Sequence, residues 1–264
     1  MRLRLPSWPE VLLTAWSPNW AYQVFAYDLN RRQLLTITNP LFNFKFACSV
    51  QVGSDLFSLS YNSEKYSNKW TKFTCIFSFQ PQRTILKSPI KARFSAALTA
   101  SCEDHRGSGI WIYLTGGLFY AQPIAQCESY DPLSDEWNNL PNLNIARSGH
   151  SCTQMGNLKL FVFCGRDGSW KNLNSIELLN FNDDTNGKWN LIKVSDKKLP
   201  TRYNPLVVPM SKSEILVMGG GSSNIASDSD LHIYNSDTNK VKRLARSKLT
   251  SSKLSGVQFV CQGN

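Results

Sequence analysis

The stretch that indicates the fold most clearly is Ile110-Trp-Ile-Tyr-Leu-Thr-Gly-Gly117, followed after a short loop by Cys127-Glu-Ser-Tyr-Asp-Pro-Leu-Ser-Asp-Glu-Trp137-Asn-Asn-Leu-Pro141. Residues 110–115 are apolar, aromatic or β-branched and end at two glycines, which predicts a buried strand with a stop signal. A second strand should end at Tyr130, because the next four residues, 131–134, have the composition of a turn. A third strand should begin at Trp137. Such short connections predict an antiparallel meander.

The features of this stretch recur along the whole chain. The aromatic residue before the turn recurs at spacings of 52, 51, 51 and 53, as Tyr27, Phe79, Tyr130, Phe181 and Tyr234. An apolar residue follows each of them seven or eight residues later: Leu34, Leu86, Trp137, Trp189 and Val241. A strand ending in glycine precedes the last three copies, whereas the first two copies lack the glycines. Self-similarity at a period of about 50 predicts a repeat protein.

A double glycine, an aromatic-Asp-Pro turn and a following tryptophan at this period resemble the kelch repeat. The resemblance implies an all-β fold, a β-propeller of about five four-stranded antiparallel blades. One blade cannot bury both of its faces alone, so the blades must form a ring. We expect a single domain over residues 1–264, with blades at roughly 1–42 plus 252–264, 43–90, 91–141, 142–199 and 200–247. Strands are expected at 10–15, 23–28 and 33–37 in the first blade, and a long loop at 61–70 in the second.

The two ends of the chain are expected to share one blade. Too few residues precede Tyr27 for the first blade to have an innermost strand, and the segment Leu254–Cys261 has the pattern of such a strand without a blade after it. The C-terminal strand would then complete the N-terminal blade and remove two open sheet edges. The alternative is that the chain is part of a six- or seven-bladed ring.

Composition narrows the functional classes. The net charge of +10 favours an acidic partner, or serves solubility. The seven cysteines fall mostly within predicted strands and show no CxxC spacing, which favours reduced thiols, and hence a cytoplasmic protein, over disulfides or a zinc site. No apolar run approaches the roughly 20 residues that a membrane span needs. We expect a monomer that binds neither membrane nor cofactor.

The binding surface is predicted at the loops between the second and third strands, which share one face with the segments between blades. Aromatic and basic residues collect there, and both types are enriched at binding hot spots. The residues expected to bind a partner are one basic residue at the entry to each innermost strand and three loop aromatics: Lys45, Arg93, Arg147, Arg202, Lys253, Trp20, Tyr120 and Trp170. The same face also collects Trp16, Tyr61, Tyr66, Trp70, Phe119, Arg166 and Lys171.

These residues predict a non-enzymatic module that binds a partner protein or peptide, with an acidic or phosphorylated segment as the natural ligand of a basic ring. The alternative for the basic residues is that each is neutralised within its own blade, for example by Glu128 or Asp131. A basic propeller that binds nucleic acid is a second functional interpretation. A copper-radical oxidase, an enzyme class known on kelch-like rings, is a third, but the spacing of the three histidines does not favour it.

Overall fold

The structure of the protein is a computed structural model. It describes residues 10–16, 22–28, 33–37, 48–53, 55–62, 64–74, 82–101, 109–156, 158–182, 187–194, 199–221 and 230–246. These residues form strands, turns and connections, and no helix occurs among them. In this part of the chain there is accordingly no helix long and apolar enough to cross a membrane.

The strands form five successive antiparallel sheets, which we number as blades 1 to 5. Blade 1 has three strands, β1 (Glu10–Trp16), β2 (Tyr22–Asp28) and β3 (Gln33–Ile37). Blade 2 comprises β4 (Cys48–Val52), β5 (Asp55–Asn62), β6 (Ser67–Thr74) and β7 (Gln82–Leu86). Blade 3 comprises β8 (Ala97–Ala100), β9 (Ile112–Thr115), β12 (Cys127–Asp131) and β13 (Glu136–Leu140), with the short ribbon β10 (Leu118–Phe119) and β11 (Gln122–Pro123) inserted after β9. Blade 4 comprises β14 (Ser151–Met155), β15 (Lys159–Phe163), β16 (Ile176–Asn180) and β17 (Trp189–Ile192), and blade 5 comprises β18 (Leu206–Pro209), β19 (Glu214–Met218), β20 (Asp230–Asn235) and β21 (Lys240–Arg246).

The blades stack side by side through their faces. The innermost strands β4, β8, β14 and β18 contact one another in chain order, as the strands around the axis of a propeller do. An apolar cluster fills each of the three spaces from blade 2 to blade 5. Central strands are buried on both faces: Ile112 and Leu114 of β9 face blade 2, whereas Tyr113 faces blade 4. This is why residues 110–114 form a continuous apolar run and do not alternate with polar residues.

The repeat signature has a physical role in each blade. The indole nitrogens of Trp137 and Trp189 donate to the carbonyl oxygens of Lys87 (2.7 Å) and Pro141 (2.9 Å), which lie in the segment entering the same blade. Both tryptophans are buried between neighbouring blades, as the repeat predicts. Before each turn, the buried Tyr130 and Tyr234 donate to Asp135 (2.9 Å) and Asn239 (2.7 Å).

The predicted all-β propeller architecture is confirmed, with a four-stranded antiparallel sheet in each of blades 2 to 5. The prediction for residues 61–70 is wrong, because these residues were expected to form a long loop. In the structure β5 continues to Asn62 and β6 begins at Ser67, since Tyr61 and Trp70 bury their rings in and beside blade 2. Phe79 and the closing strand predicted at 252–264 lie outside the described residues.

Candidate functional site

Three of the five basic residues predicted to surround a channel mouth are buried inside the blades. Arg93, Arg147 and Arg202 are each 0% exposed. Arg93 forms an ion pair with Glu128 of β12, and its Nη1 also donates to the carbonyl oxygen of Gln126 (2.7 Å). Arg147 pairs in the same way with Glu177 of β16 (2.5 Å) and donates to the carbonyl oxygen of Cys164 (2.8 Å).

Blade 5 has the same buried arginine but a different acceptor on its third strand. Arg202 donates to the carbonyl oxygens of Gly219 (2.8 Å) and Asp230 (2.9 Å), and its Nη2 lies 3.3 Å from Nδ1 of His232. His232 occupies the position that Glu177 has in blade 4. Glu177 pairs across the sheet with Val162 and His232 pairs with Val217, and each valine is the second-last residue of its strand. Burial, and then the charge of Arg202, lower the pKa of His232, so it is neutral at neutral pH.

The expectation that these three arginines stand exposed around a channel mouth is therefore wrong. A side chain whose donors are directed into its own blade has no surface with which to hold a ligand. The alternative interpretation, neutralisation within each blade, holds for Arg93 through Glu128, the residue named for it, and for Arg147 through Glu177. Lys45, Lys253 and Trp20 lie outside the described residues.

The entry to each innermost strand is instead a structural joint between blades. Two residues after each buried arginine, Ser95, Gly149 and Asn204 have φ angles of 51°, 55° and 51°. The amide of Gly149 donates to Ser95 (2.9 Å), and that of Asn204 donates to Gly149 (2.5 Å), which links blades 3, 4 and 5 in series. Gly116 and Gly117 allow the close approach of this joint, because a Cβ on Gly116 would lie 2.6 Å from the Arg147 carbonyl oxygen.

The buried titratable groups carry no reactive arrangement in the described part of the chain. His150 Nε2 lies 2.9 Å from Oγ1 of Thr115, and burial lowers the pKa of this histidine to about 3. Burial raises the pKa of the Cys48 and Cys127 thiols to about 12 and that of Cys164 to about 11, so all three are protonated at neutral pH. No cluster of potential metal ligands occurs among the described residues.

The exposed chemistry lies on the loops between second and third strands, which we call the loop face (residues 64–66, 116–126 and 164–175). Each of these loops in blades 2, 3 and 4 presents one aromatic side chain to solvent: Tyr66, Tyr120 and Trp170 are 49%, 59% and 50% exposed. All three have a positive φ, at 46°, 46° and 59°. A left-handed backbone is unusual for bulky residues and concentrates at functional sites.

The first two of these aromatics form one surface cluster across blades 2 and 3. The rings of Tyr66 and Tyr120 are 4.6 Å apart, and Phe119 packs edge-on against Tyr120 at 4.4 Å. The ammonium group of Lys91 lies 4.6 Å from the centre of the Phe119 ring, which gives the cluster a cation–π contact. Burial, and then the phenols of Tyr66 and Tyr120, raise the pKa of Tyr61 above its ordinary value.

The third aromatic, Trp170, lies in a braced turn of blade 4. Its amide donates to the Asp167 carbonyl oxygen (2.9 Å), and the Asp167 carboxylate accepts the amides of Ser169 (2.9 Å) and Lys171 (3.0 Å). Tyr120 and Trp170 are thus the predicted partner-binding residues that the structure leaves exposed. Tyr66 was collected with this face from the sequence but was not selected as a partner-binding residue; its loop lies between the second and third strands as predicted, but it is shorter.

The comparison with known families agrees with this geometry. Residues 112–144 match the family model of the Kelch motif, and they span strands β9 to β13 and the segment leaving blade 3. No curated protein matches the chain in sequence. The motif match lies in blade 3, and the repeated antiparallel sheets around it agree with the resemblance of the whole chain to kelch-repeat β-propellers.

Proposed function

We propose that the chain is a non-enzymatic protein-interaction module that binds an acidic partner protein or peptide through its loop face. The observation that carries the proposal is the recurrence of one exposed aromatic residue with a left-handed backbone on the loop face of three successive blades, as Tyr66, Tyr120 and Trp170. Tyrosine and tryptophan supply large contact areas at a low entropic cost, and they dominate binding hot spots.

The acidic character of the partner is supported by charge. The chain carries a net charge of +10, and Lys91 contributes a cation beside the aromatic cluster. Basic surfaces attract acidic partners over distances up to the Debye length and accelerate their association. The kelch-repeat family is generally non-enzymatic, which agrees with a binding role.

The test is an affinity capture in which the full chain is the bait and captured proteins are quantified by mass spectrometry. A Tyr120→Ala/Trp170→Ala double variant should lose a partner that the unaltered chain retains, because it lacks two aromatic anchors. Leu133→Ala is the control: Leu133 is 80% exposed, but it lies in the turn between β12 and β13, at the opposite end of the blade. Thermal melting of each variant verifies that the bait is folded.

Two results would contradict the proposal. The first is a capture profile that the double variant and Leu133→Ala share with the unaltered chain. The second is that a column of single-stranded oligonucleotide retains the chain and that nuclease treatment releases the captured proteins from the bait. That result would support the nucleic-acid interpretation.

A further inference from the structure

Arg166 on the loop face of blade 4 is held by two contacts of its side chain and by hydrogen bonds of its backbone. Its guanidinium carbon lies 3.7 Å from the centre of the Tyr203 ring, at the distance of a stacked cation–π contact. Its Nε donates a hydrogen bond to Oδ1 of Asn172 (2.8 Å). Its backbone exchanges two hydrogen bonds with Ser148, at 2.8 and 3.0 Å. The side chain is therefore oriented before any ligand arrives.

The support beneath Arg166 depends on a glycine of the next blade. A Cβ on Gly221 would lie 2.3 Å from the Tyr203 ring, so any larger residue there would displace the tyrosine. Tyr203 and Gly221 also exchange backbone hydrogen bonds of 2.9 and 2.8 Å. Blade 5 thus positions the aromatic ring on which a residue of blade 4 stacks.

The terminal nitrogens of Arg166 are available to donate hydrogen bonds to a ligand. Among the described residues, no hydrogen-bond acceptor or carboxylate pairs with Nη1 or Nη2 of Arg166. In Arg93 and Arg147, by contrast, these nitrogens bind carbonyl oxygens and a glutamate within the blade. A planar guanidinium fixed by stacking, with its terminal donors unpaired, matches the geometry of a bidentate carboxylate contact.

We propose that Arg166 is a carboxylate-binding subsite of the loop face, which holds an Asp or Glu side chain of an extended acidic segment in the partner. Trp170, four residues along the same loop and 50% exposed, then packs against an apolar neighbour of that acidic residue. This inference rests on the proposed function and names the chemistry of its ligand.

The local charge favours a carboxylate over a phosphate. In the described loop 164–175, the charged side chains are Arg166, Asp167 and Lys171, which leaves one net positive charge. One positive charge balances a carboxylate, whereas a phosphate group carries about −1.5 to −2 at neutral pH. The Asp167 carboxylate adjacent in sequence would repel the second charge.

The experiment uses a displayed library of random twelve-residue peptides selected on the full chain. We expect the selected peptides to be enriched in Asp and Glu, and their dissociation constants are then measured by fluorescence anisotropy. Arg166→Gln should weaken binding about 10- to 100-fold, because a charge-assisted bidentate contact is lost. Arg166→Lys should recover part of this loss, because it keeps the charge without the planar fork.

The matched control is Arg83→Gln on the outer strand β7, where an exposed arginine is removed with the same change of net charge. It should leave the dissociation constants within about twofold, because Arg83 belongs to the outer strand of blade 2 and not to the loop of blade 4, and salt screens exposed charges that do not contact the ligand. Replacing each acidic residue of a selected peptide by its amide should identify one position at which the effect of Arg166→Gln disappears.

Three results overturn the inference. If peptides are weakened by Tyr120→Ala but not by Arg166→Gln, the carboxylate subsite is wrong while the proposed function stands. If phosphoserine at the acidic position binds more than about 10-fold tighter than glutamate, the subsite reads phosphate. If no selected peptide is weakened by Tyr120→Ala or Trp170→Ala, the proposed function fails, and this inference fails with it.

Discussion

Blades 4 and 5 surround the same buried arginine with different residues. Each buries an arginine at the entry to its innermost strand, and each directs the guanidinium at the third strand. Blade 4 supplies the carboxylate of Glu177, whereas blade 5 supplies the neutral ring of His232 and two carbonyl oxygens. The comparison teaches that the third-strand position beside the buried arginine accepts either a carboxylate or a neutral imidazole ring.

The acceptor in blade 4 also holds the chain between blades. The Glu177 carboxylate accepts the backbone amides of Asn144 (2.7 Å) and Ile145 (3.2 Å), in addition to the Arg147 contact. Glu128 accepts the amide of Ile90 (2.7 Å) in blade 3. In blades 3 and 4, one carboxylate therefore joins a buried cation to the segment that enters the blade.

The largest expected effect comes from removing the carboxylate of blade 4. Glu177→Ala should lower the free energy of unfolding by about 3–5 kcal/mol, because it leaves Arg147 buried without its counter-charge. Urea denaturation followed by circular dichroism measures this cost. The control is Glu136→Ala, whose partner Lys87 and own side chain are both more than half exposed. That exposed pair should contribute about 0–1 kcal/mol, and equal costs for the two variants would contradict the comparison.

The second prediction concerns acid, to which the two described histidines respond in the same direction. His150 has a folded-state pKa of about 3, and the pKa of His232 is also lowered from the ordinary value of about 6.5. Below about pH 6.5 the unfolded chain binds protons that the folded chain does not, so stability falls as the pH falls. His150 alone should remove about 2 kcal/mol between about pH 7.5 and about pH 5.

Unfolding by urea at a series of pH values measures this loss. His150→Gln should flatten the pH dependence over the same interval, because glutamine does not titrate there. A profile with the same slope in both proteins would show that carboxylates, and not the buried histidine, determine the acid sensitivity.

The smallest effect is expected from giving blade 5 the acceptor of blade 4. His232→Glu should raise the free energy of unfolding by about 1 kcal/mol, because a hydrogen bond between a guanidinium and a carboxylate is stronger than one between a guanidinium and a neutral imidazole. This corresponds to a gain of about 2–4 °C in Tm. His232→Gln is the control without a charge. If both variants melt at the same temperature, a carboxylate at position 232 adds no stability to the buried Arg202, and the prediction is wrong.

Local patterns predicted the strands well wherever turn chemistry marked their ends. In blade 1, the expected strands at 10–15, 23–28 and 33–37 differ from β1, β2 and β3 by at most one residue at either end. In blade 2, a long loop was predicted at residues 61–70, which are mostly polar. Strand pairing continued through Asn62 and resumed at Ser67, because cross-strand bonds and the burial of Tyr61 and Trp70 outweighed local composition.

The sequence by itself determined the period of the repeat, the strand order within each blade and the residues that mark each turn. These follow from local chemistry: apolar runs for strands buried on both faces, glycines for a close approach, and Asp and Pro for turns. It did not determine which arginines are exposed. Arg147 and Arg166 are the same type of residue, and both lie at the end of blade 4 where the chain enters it.

Only the tertiary structure separates them. Glu177 comes from a strand 30 residues further along the chain, and it binds Arg147 in a buried ion pair. Tyr203 and Gly221 come from the following blade, and the Tyr203 ring stacks on Arg166, whose terminal nitrogens have no acceptor among the described residues. Burial is a property of neighbours that are distant in sequence, so no local pattern around either arginine could reveal it.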